Sequence, residues 1–234
     1  MNILAIIPAR GGSNGIPKKN LVVFRGQPLV AHSIKHALGS TLINRVLVST
    51  DSEEIRRVSL ESGAEVPFLR PAELAEDHVL DLPVFEHALT FLKEKEDYQP
   101  DIVVHLRPTT PHRKPEWIDE AVRLLQAHPK ADSVRSVSPP DKHPYRMFRI
   151  DDNGYLDPIM KHEHPVPYLL RRQDLPPMYY YNCVIDVTRP ATIFGKKSMT
   201  GDHIWPYVME ADDVIDIDTA MDLKVANVLF GGAS

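Results

Sequence analysis

Ile3-Leu4-Ala5-Ile6-Ile7, running into Pro8-Ala9-Arg10-Gly11-Gly12-Ser13-Asn14-Gly15-Ile16-Pro17-Lys18-Lys19-Asn20, sets the terms for the rest of the chain. Five consecutive apolar residues closed by proline and a glycine-rich stretch fit a strand buried on both faces of a parallel sheet. Strands of that kind come with helical crossovers. Val46-Leu47-Val48 and Ile102-Val103-Val104-His105-Leu106 repeat the pattern. Helix-period segments lie between and after them at about Leu29 to Leu38, Ser52 to Ser62, Leu82 to Lys95 and Pro115 to Ala127. Pro115 suits a first helical position. This alternation predicts an α/β domain with a largely parallel sheet and right-handed crossovers. Ligands in such sheets bind at the carboxyl ends of the strands, so the loops after the apolar runs are the places to look for chemistry.

The regular alternation stops near Ser138. From Pro139 to Pro177 the chain is irregular and proline-rich; proline is 21 of 234 residues overall, about twice the usual share. An irregular segment of this length points to a functional lid or to an arm that packs elsewhere. Strand pattern is expected again at Tyr179 to Val187, Ile204 to Met209 and Val214 to Asp218. A last helix is expected from about Thr219 to Leu229, capped by Asp218 or Thr219 and followed by Gly231-Gly232.

Charge and composition exclude several classes. With 27 Lys+Arg against 32 Asp+Glu the net charge is −5, which argues against wholesale binding of a nucleic-acid backbone while permitting a local basic pocket. The single cysteine, Cys183, excludes an internal disulfide framework and a multi-cysteine zinc site, and it reads as a packed core thiol. No run of 18 apolar residues occurs and the N-terminal residues lack a signal-peptide pattern, so a cytoplasmic protein is expected.

Within the first loop, Gly11, Gly12 and Gly15 allow backbone N–H groups to approach an anion closely, and Arg10, Lys18 and Lys19 add charge. The glycine spacing is neither that of Walker A nor that of the dinucleotide fingerprint. The loop reads as a phosphate cradle or as a glycine turn with solvated lysines. Near the other end, Asp216 and Asp218 flank Ile217. On a strand they share a face and can hold one hard cation such as Mg²⁺; alternatively Asp218 caps the last helix and Asp216 is a surface charge. Ser49-Thr50-Asp51 and Arg107-Pro108-Thr109-Thr110-Pro111 are strand-end loops rich in hydrogen-bonding groups.

Together these strings resemble the acylneuraminate cytidylyltransferases, the CMP-sialic acid synthetases. The resemblance is carried by Ile7 to Asn20, Val48 to Asp51, Leu69-Arg70-Pro71-Ala72-Glu73-Leu74-Ala75, Leu106 to Arg113, Arg172-Gln173-Asp174-Leu175-Pro176 and Ile215 to Thr219, in that order along the chain. It implies a single nucleotidyltransferase domain over 1–234, of the GT-A-like, Rossmann-related type. The sheet would be mixed and mostly parallel, flanked by helices, with 139–177 as a protruding dimerisation arm. It implies a Mg²⁺-dependent reaction of a nucleoside triphosphate, CTP, with a nonulosonic (sialic-type) acid, giving a CMP-sugar and pyrophosphate in a homodimer. Residue by residue, Ala9, Arg10, Gly11, Ser13, Lys19, Asn20 and Arg70 would bind the nucleotide. Arg107, Arg146, Arg172, Met199 and Thr200 would line the sugar side. Asp216 and Asp218 would hold the metal, and with Arg10 and Lys19 they would form the catalytic set. The same reaction with GTP or a legionaminic-type acid, a GT-A glycosyltransferase, and a non-catalytic homologue are the alternatives.

The chain departs from the family pattern at three places. Asn14 stands where lysine is common, and Arg107 where the family has glutamine. Tyr180-Tyr181-Asn182-Cys183-Val184-Ile185-Asp186 stands where members read Arg-Pro-Asn-Gly-Ala-Ile-Tyr.

Overall fold

The computed structural model describes residues 1–13, 15–161 and 163–230. The departure at Asn14 and the expected Gly231-Gly232 helix stop therefore lie outside the described residues. β1 (Ile3–Pro8) is the hub of a six-stranded sheet. It pairs in parallel with β4 (Arg45–Ser49) on one side and with β5 (Ile102–His105) on the other. β2 (Val23–Phe24) and β3 (Gln27–Pro28) form a minimal hairpin beyond the first loop. The sheet continues through β9 (Tyr180–Thr188) and β6 (Ser133–Ser138) to β10 (Ile204–Val208), in the order β10-β6-β9-β5-β1-β4. β9 is antiparallel to both neighbours and β10 is parallel to β6, so the sheet is mixed and mostly parallel, as expected.

The alternation along β1 explains the layers. Ile3, Ala5 and Ile7 face one apolar cluster with α1 (Leu29–Gly39), α2 (Glu53–Glu61) and α4 (Pro115–Ala127). Leu4 and Ile6 face a second cluster with α3 (Asp81–Glu96) and α5 (Pro190–Lys196). Successive strand side chains point to opposite faces, so an unbroken apolar run is what a strand covered on both faces requires. A third, smaller cluster joins Phe24, Leu29, Ile217 and Ala226 and seats α6 (Ala220–Phe230) beside the first loop.

Several elements differ from the sequence expectation. β6 is an added strand: its Ser-Val-Arg-Ser-Val-Ser pattern lacks the apolar run, and its buried serines are satisfied across the sheet instead. Ser136 Oγ donates to Asn182 Oδ1 at 2.5 Å, and Asn182 Nδ2 donates to Ser138 Oγ at 2.9 Å. These bonds straddle an irregularity in the β6–β9 register, where Cys183 takes φ +63°, a conformation that favours glycine. Cys183 is half-buried at this bulge and is not a core thiol. Val214 to Asp218 is extended but not a strand. Ile217 N donates to Thr109 O at 2.8 Å, and the segment joins no ladder because it passes over the strand ends. The arm is not wholly irregular: β7 (Phe148–Ile150) and β8 (Leu156–Pro158) pair antiparallel. Asp151 Oδ1 accepts from the amides of Asn153 and Tyr155 to turn the chain between them.

Candidate active site

The first loop leaves β1 at the carboxyl edge of the sheet and borders a cavity of about 410 Å³. Pro8, Arg10, Gly12, Ser13, Gly15, Lys19 and Asn20 form one wall. Arg70, Val79, Asp81 and Val84 form a second, and Arg107, Pro108, Thr109 and Asp218 close it. The elements fix the loop tightly. Ala9 N donates to Ser49 O at 2.9 Å, and Gly11 N donates to Asp51 Oδ1 at 2.8 Å. Buried Asn20 donates from Nδ2 to Arg10 O at 2.9 Å. Gly15 is required where it stands: a Cβ there would lie 2.3 Å from the Asp218 carbonyl oxygen, so only glycine lets the two segments meet.

Among the described lining residues, four carry positive charge (Arg10, Lys19, Arg70, Arg107) and two carry negative charge (Asp81, Asp218). A chain of net charge −5 thus presents a locally positive pocket. Arg10 Nη1 meets Asp77 Oδ1 at 2.5 Å, and Lys19 Nζ meets Asp218 Oδ1 at 2.6 Å. Arg70 is buried and gives its hydrogen bonds to neutral oxygens: Nε to Ser49 Oγ at 3.1 Å, Nη2 to Ser49 O, and Nη1 to Leu74 O. Burial pushes its pKa down to about 10, since the Asp51 and Asp81 carboxylates offset only part of that cost. A guanidinium in that state is ready for an anion.

The carboxylates beside the pocket fall into two kinds. Asp216 is half-buried and its pKa is raised, first by desolvation and then by Asp218, against an opposing hydrogen bond from Thr109. Its Oδ1 is buried and has no hydrogen-bond partner among the described residues. Asp218 is exposed and is not the helix cap. Thr219 fills that place: its Oγ1 accepts from Asp222 N at 3.2 Å, while Asp222 Oδ2 accepts from Thr219 N at 2.7 Å. Asp218 is thereby free of capping duty. An orphaned buried carboxylate oxygen next to a second carboxylate fits a hard cation that takes its remaining ligands from phosphate and water, provided the Lys19 ammonium, 2.6 Å from Asp218 Oδ1, moves off that carboxylate.

The structure gathers Arg10, Ser13, Lys19, Asn20, Arg70, Arg107 and Asp218 around one cavity. Ala9 is buried in the core behind it and Gly11 is held by Asp51. Met199 packs on the second apolar cluster, and the Met199 and Thr200 carbonyls accept from Thr188 Oγ1 and Ser133 Oγ. Arg146 Nη2 donates to Leu170 O at 2.6 Å and Arg172 Nη2 to Pro140 O at 3.2 Å, both within the arm and off the cavity wall. Lys18 pairs with Glu54 at the rim. Asp51, Asp77 and Asp81 complete the site; Asp51 ends the Val48 to Asp51 motif, whereas Asp77 and Asp81 carried no sequence signal beyond loop polarity and a helix start.

A positive, glycine-lined pocket at the carboxyl edge of a mostly parallel sheet defines an α/β protein of the class whose strand-end loops are suited to a phosphorylated ligand. The cytidylyltransferase family model matches residues 4–201, and the chain belongs to that family. It is 38% identical over 236 residues to the CMP-N,N'-diacetyllegionaminic acid synthase of Legionella pneumophila, covering 98% of this chain and 96% of that one. It is 34% identical over 224 residues to the N-acylneuraminate cytidylyltransferase of Streptococcus agalactiae serotype V, covering 95% of this chain and 52% of that one. The chain thus spans about half the length of the streptococcal relative. The structure of a CMP:2-keto-3-deoxy-manno-octonic acid synthetase complexed with CTP superposes with a TM-score of 0.73 at 16% identity over 99% of both chains, a likeness of fold. Among the described residues no helix is long and apolar enough to cross a membrane.

Proposed function

We propose that the chain is a nucleotidyltransferase that activates a nonulosonic acid with CTP, releasing pyrophosphate and forming a CMP-sugar acid, as a cytoplasmic homodimer that uses Mg²⁺. The observation that carries this reading is the positive pocket, built on the glycine loop, with the orphaned Asp216 and the uncapped Asp218 at its edge. The streptococcal and Legionella relatives, named for CMP activation of acids of this class, support it.

The reaction is an in-line displacement at the α-phosphorus. A bond forms from the anomeric hydroxyl oxygen of the sugar acid to the α-phosphorus, its proton passes to solvent, and the bond from that phosphorus to the bridging oxygen breaks, so that pyrophosphate leaves. Positioning and charge neutralisation supply most of the acceleration in such chemistry. Arg10 and Lys19 would exchange their carboxylate partners for phosphate oxygens. Arg70, already without a carboxylate bonded to it, would take another. Asp216 and Asp218 would hold Mg²⁺, which when bound would neutralise phosphate charge. The arm would reach across the dimer, bringing Arg146 and Arg172 to the sugar carboxylate of the second subunit's site. The near-full-length match to the Legionella relative favours a legionaminic-type acid as the second reading of the substrate.

The test is a matrix of nucleoside triphosphates against nonulosonic acids, read by pyrophosphate release. CTP with one of the nine-carbon acids should give the highest rate. Release that needs no sugar acid, or release of nucleoside diphosphate from a nucleotide-sugar, would overturn the reading.

A further inference from the structure

Two of the departures from the family pattern, at 107 and at 180–186, meet in space. Arg107 Nη1 donates to Asp186 Oδ2 at 2.9 Å and to the Tyr181 hydroxyl, and its Nη2 donates to Asp81 Oδ2 at 2.7 Å. Tyr181 donates to the same Asp186 Oδ2 at 2.5 Å. On the far side Arg135 Nε meets Asp186 Oδ1 at 2.9 Å, with its guanidinium 3.8 Å from the centre of the Tyr181 ring. Asp186 is buried, whereas Arg107 and Asp81 reach the cavity wall.

The charges balance: Arg107 and Arg135 against Asp81 and Asp186. Burial opposes the Asp186 charge, but its neighbours outweigh that and keep it ionised below the ordinary range. Burial also holds the adjacent His105 far below its ordinary pKa and hence neutral, so the two guanidiniums carry the compensation. Such a network fixes the aim of a long, flexible side chain. It also explains why arginine at 107 goes with aspartate at 186: a buried carboxylate without its guanidinium, or the reverse, would be strongly unfavourable.

We propose that Asp186, with Tyr181, is a positioning residue that fixes Arg107 against the sugar-acid end of the pocket, making the 107–181–186 set a determinant of which sugar acid is accepted. With Arg107 and Asp81 side by side, that wall offers a donor next to an acceptor. A substituent with both functions, such as an acylamino group, pairs with the two at once, while a lone carboxylate would face Asp81. The inference rests on the nucleotidyltransferase reading, and the experiment separates the two.

Steady-state constants for CTP and for N-acetylneuraminic and N,N'-diacetyllegionaminic acids are measured for the wild type, Asp186→Asn, Tyr181→Phe, Arg107→Gln and the Arg107→Gln/Asp186→Asn double variant, with thermal unfolding of each. For the preferred acid, KM should rise about tenfold or more in Asp186→Asn and in Arg107→Gln, and several-fold in Tyr181→Phe. The KM for CTP should stay within about twofold. The double variant should be no worse than Arg107→Gln alone, because Asp186 acts through Arg107. Tyr181→Phe, which deletes one hydroxyl, carries the test if Asp186→Asn does not fold. An unchanged sugar-acid KM, a shift confined to CTP, or additive losses in the double variant would overturn the inference. A wild type that releases no pyrophosphate with any of the acids would overturn the underlying reading, and this inference with it.

Discussion

At Asp216 the requirements of the fold and of the proposed chemistry conflict. Its folded pKa is raised above the unfolded value by burial, with Asp218 adding to the effect. The sign follows: the native state takes up the proton more readily than the unfolded chain, so at neutral pH the ionised carboxylate detracts from stability. Asp216→Asn keeps the shape and removes the charge. The metal-free variant should therefore melt at or above the wild-type temperature. A hard cation needs the carboxylate, so turnover should fall roughly 10²-fold or more, and Mg²⁺ with CTP should stabilise the variant less than the wild type. Scanning calorimetry with and without Mg²⁺-CTP, alongside a rate assay, checks all three. A variant with near-normal rate and full Mg²⁺-CTP stabilisation would remove the metal from Asp216.

At the scale of elements, the segment carrying Asp216 and Asp218 has no ladder of its own. It is anchored by Ile217 N on Thr109 O, by the apolar seat of Ile217, and by the reciprocal cap of Thr219 and Asp222 at the start of α6. Thr219→Ala deletes one half of that cap and should cost about 1 kcal/mol of stability, with a drop in turnover because the carboxylates sit directly before the cap. A urea midpoint equal to wild type would show that the cap is not what fixes this segment. The sequence pattern located this region yet mistook its form, and the reason is physical. Alternating Val214-Ile215-Asp216-Ile217-Asp218 looks like a strand, but whether a partner edge lies beside it is decided by tertiary packing. The strands β1, β4, β5, β9 and β10 and five of the helices, α1 to α4 and α6, were legible because each has an apolar run or a dominant period of its own. β6 was not, since its serines are buried against Asn182 and not against apolar neighbours. The glycine loop marked half of the site. The Arg107–Asp186 contact joins residues 79 apart in sequence, and nothing local announces it.

For the whole molecule, acid sensitivity follows from the histidines. Burial lowers the pKa of His32, His87, His105 and His112, and it takes His36 to about 3. Folded values below the unfolded value of about 6.5 mean that stability is complete above that pH and is lost as pH falls towards the folded values; the well-buried His36 and His105 carry most of this, at up to about 1.4 kcal/mol per pH unit each, while water screens the more exposed His32, His87 and His112. The urea midpoint should drop steeply between pH 6.5 and 5, and His36→Leu should flatten that slope; a flat wild-type profile would contradict it. The proposed dimer sets the last test. The arm exposes Ile150, Leu156 and Leu169 at 73%, 67% and 72% of their surface. Covering such area with a second copy contributes roughly 25 cal/mol per Å². In a two-fold dimer each arm would serve the other subunit's pocket. Asp216→Ala and Arg172→Ala proteins, each inactive alone, are mixed and allowed to exchange subunits. If Arg172 works across the interface, each mixed dimer holds one site with both native residues. Random exchange in a two-fold dimer then restores about a quarter of wild-type activity. Dimers that exchange but stay inactive would place Arg172 in its own subunit's site or outside the chemistry, and sedimentation as a monomer would remove the arm's role altogether.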